Sequence, residues 1–228
     1  MKRLKNNLRR LKVSKKTDKP DEHLVDILEP PKYMPSGKSQ SIVQAIRNGD
    51  WLHVTNLWVF RTKPALQILF QQREYSSPMY PGLLDCSAGG YIQAGEDPLA
   101  AALRELEEEL GVAIAREDVR PFGRHFNASL DHRGRERRRV INKLAVQWEG
   151  ELSSLRMSPA EVPAAFWVDA NQFLGLAPKN TPINIEGLTQ EGKFIQLSVT
   201  KDNFVYNVDD YHFRIIEHIG YLLEKGDL

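Results

Sequence analysis

The chain has 228 residues, 41% of them hydrophobic, and a formal net charge of +1. That length suits one domain with extensions and a sizeable core, and no apolar run approaches the ~20 residues that span a bilayer. The single cysteine, Cys86, excludes a disulfide framework and points to a reducing, cytoplasmic setting.

Residues 1–16 carry eight Lys/Arg and no acid, which leaves 23 basic against 30 acidic side chains in the remainder. A body with that acidic excess offers no electrostatic footprint for nucleic acid. Residues 1–20 read as a flexible basic tail. Organellar targeting is the second reading, although the apolar core of a secretory signal is missing. Residues 21–50 form an N-terminal extension. A short strand is expected over Asp21–Leu28, and the run Glu29–Gly37 reads as a breaker because it holds Pro30, Pro31, Pro35 and Gly37. Ser41–Arg47 suits a short helix ending at Asn48-Gly49.

The main domain is expected over residues 51–180. Trp51–Arg61 is rich in β-branched and aromatic residues and reads as a buried strand. Leu66–Gln72 is a second strand after a turn at Lys63-Pro64, and Leu83–Ala88 is an extended segment running into Gly89-Gly90. A helix follows, with Asp97 as N-cap, Pro98 at the first helical position and Gly111 as terminator. Strands are expected around Val119–Phe126, Val140–Trp148 and Phe166–Val168, then a short helix near Asn171–Leu174. In the C-terminal segment, residues 181–228, Lys193–Val199 looks extended. Tyr211–Lys225 is an amphipathic helix stopped by Gly226. The order predicts an α/β fold with helices on the faces of a mixed sheet.

The helix after Asp97 carries the chemistry. Leu99, Leu103, Leu106 and Leu110 share one stripe, and Glu105, Glu108 and Glu109 crowd another side. A solvated face explains such acids poorly, because like charges repel and glutamates late in a helix oppose its dipole. A hard divalent cation would neutralise them, and carboxylate oxygens are the ligands Mg²⁺ and Mn²⁺ prefer. Gly89-Gly90 allows close backbone approach to a metal or a phosphate. Arg104 is placed to bond back to Glu96 or to a neighbouring acid.

The spacing of Gly90, Glu96, Arg104, Glu105, Glu108, Glu109 and Gly111, with aliphatic Leu106 and Val112, resembles the Nudix box at every fixed position. The resemblance implies an α/β/α sandwich and Mg²⁺-dependent hydrolysis of a diphosphate joined to another group, with Mn²⁺ as the alternative metal. Carried over, it makes Glu108 and Glu109 the principal metal ligands and the Gly89 carbonyl a further one. Glu105 becomes ligand or base, Arg104 its brace, and Glu96 structural or an outer contact. It also implies a small-molecule diphosphate partner, and homodimers are common in the family. No membrane partner is expected.

The stretch LLDCSAGGYIQAGE and the strand LWVF are similar to the branch containing isopentenyl-diphosphate isomerase and related hydrolases. That isomerase is the alternative function, and a Nudix-fold binding or regulatory module is a third. The isomerase needs a cysteine and a histidine where this chain has Gly89 and Tyr91. Cys86 lies three residues too early, and no acid stands at Val140 or Asn142 to match the isomerase's later glutamates. Hydrolysis is therefore favoured. Outside the box, the arginines of the loop His132–Arg139, foremost Arg133 and Arg135, are substrate-binding candidates because guanidinium forks match phosphate oxygens. Glu161 is a candidate base or ligand. The four tryptophans and six histidines read as structural.

Overall fold

In a computed structural model, which describes residues 23–131, 134–205 and 210–228, strand β3 (Trp51–Arg61) organises the sheet. Its eleven residues present no proline or glycine, and neighbours of opposite parity bury into different cores. Val54, Trp58 and Phe60 face one side, while Leu57 and Val59 face the other. This is the period-two geometry of a strand covered on both faces.

One edge of β3 pairs in parallel with β8 (Glu136–Gln147), from Trp51↔Arg138 to Phe60↔Gln147. The opposite edge is shared. Strand β6 (Ala88–Tyr91) pairs with its middle, and β4 (Gln67–Gln72) with its last two residues. From β4 the sheet continues through β9 (Ala164–Asp169), β10 (Ile183–Thr189) and β11 (Phe194–Val199), all antiparallel. The short β5 (Leu84–Asp85) lies on β4, and β7 (Arg120–Leu130) forms a hairpin with β8.

Helix α2 (Pro98–Leu110) packs on one face against Leu57, Val59, Leu69 and Leu144. Helices α3 (Ala170–Lys179) and α4 (Tyr211–Lys225) cover the other, where Phe173, Ile215, Ile216 and Ile219 meet Trp58, Phe60 and Phe70. The result is an α/β/α sandwich. Trp58, Phe60, Phe70, Phe166 and Phe173 are fully buried, each contributing about 1.5–3 kcal/mol of apolar transfer free energy. At the N-terminal end, β1 (Leu24–Glu29), β2 (Met34–Ser41) and α1 (Ile42–Asn48) build a small third core around Val25, Ala45 and Leu52. No helix among the described residues is long and apolar enough to cross a membrane.

Three expectations need correction. The breaker run yields to strand β2 from Met34 onward, despite Pro35 and Gly37. Strand β2 is an edge strand, paired only with β1, and an edge tolerates a missing N–H donor. Strand β10 has no counterpart in the sequence reading. Its apolar residues alternate with Asn184 and Glu186, and Gly187 interrupts it where any side chain would meet Ala165 O at 2.7 Å and the Phe166 ring. Arg137, Arg138 and Arg139 lie on β8 rather than in a loop. The basic tail, residues 1–20, and Arg133 lie outside the described residues.

Candidate active site

Helix α2 is held at both ends. The Asp97 side chain accepts from Leu99 N and Ala100 N at 3.0 and 3.2 Å, and Gly111 closes the helix at φ 68°. Its apolar side is broader than a leucine stripe, because Ala101 and Ala102 are buried alongside Leu106 and Leu110. This pins the rotation of the helix and turns Glu105 and Glu109 towards β6.

Glu109 is 7% exposed, and its Oε2 accepts from the Gln71 amide at 3.0 Å and from Gly89 N at 3.1 Å. One carboxylate thus ties α2 to β4 and β6. Burial pushes its carboxyl well above the usual carboxylate range, and the charges of Glu105 and Glu161 add to that. Glu105 is raised too, again mainly by burial, with Arg104 opposing and Glu108 and Glu161 reinforcing.

Arg104 is the brace expected from its position. Its Nε and one terminal nitrogen bind the two oxygens of Glu96 at 2.9 and 3.0 Å. The other terminal nitrogen reaches Glu105 Oε1 at 2.9 Å and Glu108 Oε2 at 3.3 Å. The bidentate grip on Glu96 fixes the guanidinium plane. Glu96 also accepts from Gln93 N at 3.0 Å, so it belongs to the scaffold. Gly90 has a steric reason: the Glu105 carboxylate occupies the space where a Cβ would stand. A Cβ at Gly89 would lie 2.7 Å from Thr55 O and 3.1 Å from Asn56 Oδ1. Strand β6 and helix α2 can meet this closely only through glycines.

Glu161, in the loop before β9, joins the same place. Its charge acts on Glu105 and Glu109, and it lines a cleft of about 330 Å³ with Glu109, Gly89, Gln71, Arg73 and Glu74. The donor set is hard oxygen, and two N–H groups offset the Glu109 charge only in part, which suits a divalent cation. Among the described residues no three His, Cys, Asp or Glu side chains already stand as a metal cage. Arg104 bridges Glu105 and Glu108.

Across β6 lies a second cavity of about 330 Å³, bordered by Asn56, Tyr91, Arg137, Arg139, Cys86 and His212. Gln71, Arg73, Pro78 and Gly89 line both cavities, so the two adjoin. Arg73 binds Ser77 Oγ, Met79 O and Asp85 Oδ2 at 3.0, 2.9 and 3.2 Å, which folds the loop between β4 and β5 over them. Burial opposes ionisation of Asp85, yet His212 and Arg73 hold its carboxyl down at about 2. The Cys86 thiol is pushed well up by burial and by the charges of Asp85 and Glu109, so it stays protonated.

The structure therefore gathers Arg104, Glu105, Glu108, Glu109 and Gly89 where α2 meets β6, and of these Glu109 and Gly89 line the cleft together with Glu161. Arg135 lines neither cavity, and its guanidinium lies 2.8 Å from the buried Asp131 carboxylate, which Arg137 also binds at 3.0 Å. The arginines that border the second cavity are Arg137 and Arg139, one strand pleat apart. Alternation along β8 with Ile141 was the signal for them. Gln71, Arg73, Asp85 and His212 were missed altogether.

Residues 52–190 match the NUDIX domain. The chain belongs to the Nudix family. Nudix hydrolase 3 of Arabidopsis thaliana is 37% identical over 82 residues, 36% of this chain and 10% of that protein. An uncharacterized Nudix hydrolase of Yersinia pestis is 48% identical over 59 residues, 26% of this chain and 30% of that one. The matches thus span less than a third of either relative's own length. Among solved structures, DR0079 from Deinococcus radiodurans aligns with a TM-score of 0.51 at 20% identity, covering 67% of this chain and 86% of that one. A MutT/nudix family protein from Enterococcus faecalis gives 0.51 at 18% identity, over 76% of this chain and 62% of that one. At such identities these structures establish the shared Nudix fold.

Proposed function

We propose that this chain is a Mg²⁺-dependent pyrophosphohydrolase that cleaves the phosphoanhydride of a nucleoside diphosphate linked to a second group, X, or of a related organic diphosphate. Mn²⁺ is the alternative metal. The observation that carries the reading is the buried, only partly compensated Glu109, which opens on one cleft with Glu161 and Gly89 and feels the charge of Glu105.

In this reading Glu105, Glu108 and Glu109, with the Gly89 carbonyl, hold the metal. When bound, such an ion lowers the pKa of water and offsets charge on phosphoryl oxygens. The chain's own residues position and exclude. Arg104, locked on Glu96, keeps Glu105 and Glu108 on the cleft side of α2. The loop between β4 and β5, tied down by Arg73, walls the cleft from solvent and places a guanidinium between the two cavities. Water adds to one phosphorus, the bridging P–O bond breaks, and a cleft carboxylate takes the water's proton. Glu105 suits that last role because burial raises its carboxyl above the ordinary carboxylate range, and Glu161, which lines the cleft, is the second acceptor.

A panel of ADP-ribose, UDP-glucose, diadenosine polyphosphates, nucleoside triphosphates and isopentenyl diphosphate, assayed with Mg²⁺, tests this. Glu109→Gln is expected to lower hydrolysis, read as formation of the two phosphorylated products, about 10²-fold or more while the fold is kept. Isomerisation of isopentenyl diphosphate without hydrolysis would overturn the reading, as would tight binding across the panel with no turnover.

A further inference from the structure

The cavity across β6 contains a group that diphosphate cleavage does not call for. His212, the second residue of α4, has a side chain only 4% exposed, packed edge-on against Trp58 and Phe70 at ring distances of 5.2 and 5.8 Å. Its Nε2 lies 3.5 Å from Asp85 Oδ1. Asp85 is itself held by Arg73 at 3.2 Å and accepts from Cys86 N at 2.8 Å. A carboxylate can only accept, so Nε2 carries the proton that faces Asp85, and in the singly protonated ring the lone pair is on Nδ1. That Nδ1 is buried and has no hydrogen-bond partner.

Arg139, which lines the same cavity as His212, carries a second such atom of opposite kind. Arg139 donates to Asn127 Oδ1 at 2.7 Å through one terminal nitrogen, while its Nε is buried and without a partner. Buried polar atoms are nearly always satisfied, and each one left bare is costly. An acceptor on one wall and a donor on another, in a space that adjoins the carboxylate cleft, describe a ligand with its own donor and acceptor.

Resting on the hydrolase reading above, we propose that His212, oriented by Asp85, determines specificity by accepting a hydrogen bond from a hydroxyl or amino group of X. Arg139 donates to an oxygen or ring nitrogen of the same group. The site selects a polar X, of the sugar or nucleobase kind, over an apolar prenyl chain. Asp85 and Arg73 act through His212 and are positioning residues.

Calorimetric titration of the full chain with ADP-ribose, UDP-glucose and isopentenyl diphosphate tests this, with circular dichroism to follow folding. In His212→Gln, binding of the two polar-X compounds is expected to weaken about tenfold, and binding of isopentenyl diphosphate to stay unchanged. Asp85→Asn should reproduce the loss with His212 still present, because an amide donor shifts the imidazole proton to Nδ1. In the wild-type chain, the ¹⁵N resonance of His212 Nδ1 should move when ADP-ribose is added. That measurement needs no variant to fold. The proposal fails if folded His212→Gln binds the polar compounds as the wild type does, or if the resonance stays fixed. It also fails if the wild type prefers isopentenyl diphosphate or binds none of the three. Turnover independent of His212 would overturn this proposal alone. Binding that depends on His212, with no metal-dependent hydrolysis of the bound compound, would overturn the hydrolase reading alone.

Discussion

On one face of β6, the carboxylate cluster around Arg104 draws Glu96, Glu105 and Glu108, with Glu109 beside it, from a single helix and the turn before it. On the other face, the second cavity draws Asn56 from β3, Asp85 from β5, Arg137 and Arg139 from β8, and His212 from α4. The first is a local object whose geometry follows from helical spacing and two caps. The second exists only after four strands and a C-terminal helix have been brought together. Charge follows the same division. The local face concentrates negative charge and compensates it with one arginine, and the assembled face gathers arginines around a buried Asp–His pair. A diphosphate needs both, a cation site for its phosphoryl oxygens and a shaped, polar space for what it carries.

Substitutions can break this division at its shared wall. Gly90→Ala would drive a methyl into the Glu105 carboxylate and disturb its bridge to Arg104. It is expected to cut hydrolysis by about 10²-fold, since small misplacements at a reacting centre are that costly. It should also destabilise the chain by about 1–3 kcal/mol, as overpacking does. Steady-state kinetics and a urea titration check both numbers. Wild-type kinetics in Gly90→Ala would mean that the seat of Glu105 on β6 does not matter.

The acid limb of stability probes the other face. Asp85 is held at about 2, below its ordinary 3.8. A depressed folded-state value stabilises the folded chain above the unfolded value, and the benefit is lost as pH falls through the folded one. The contribution should therefore be complete above about pH 4 and fade towards about pH 2, amounting to about 2 kcal/mol. Asp85→Asn should unfold at lower urea than the wild type at neutral pH, and the gap should close in acid. A gap that persists in acid would show that the Asp85 charge contributes nothing. The smallest effect is expected for Arg139→Gln, a rise in KM of about fivefold with kcat held, because one donor to X is lost and the cleft is untouched. An equal fall in kcat would merge the two faces into one functional unit.

What could be read from the chain follows the same physical line. Asp97-Pro98 and Gly111 marked the ends of α2 to the residue, and Gly226 marked the end of α4, because caps are local chemistry. Strand β3 was legible for its unbroken β-branched and aromatic run. Strand β10 was not, since its identity depends on pairing with β9 and β11 rather than on its own composition. Arg137 and Arg139 were noticed as charge but placed in a loop, because five arginines in seven positions look solvated until β7 supplies a partner strand. His212 read as an ordinary helix residue. Nothing in its neighbourhood along the chain announces Asp85, which lies far off in sequence and meets it only across the core.

The position of α4 also bears on where this protein can be cut. The family match ends at residue 190, before β11 and α4. A fragment trimmed to that boundary would keep every carboxylate of α2 and still lose His212, which packs on Trp58 and Phe70, and Phe204, Tyr211 and Phe213 from the aromatic core. It would carry the signature of the family on a sheet with one face covered by α3 alone. The border of the family match runs between the residues that line the second cavity, with Val205 and His212 beyond it.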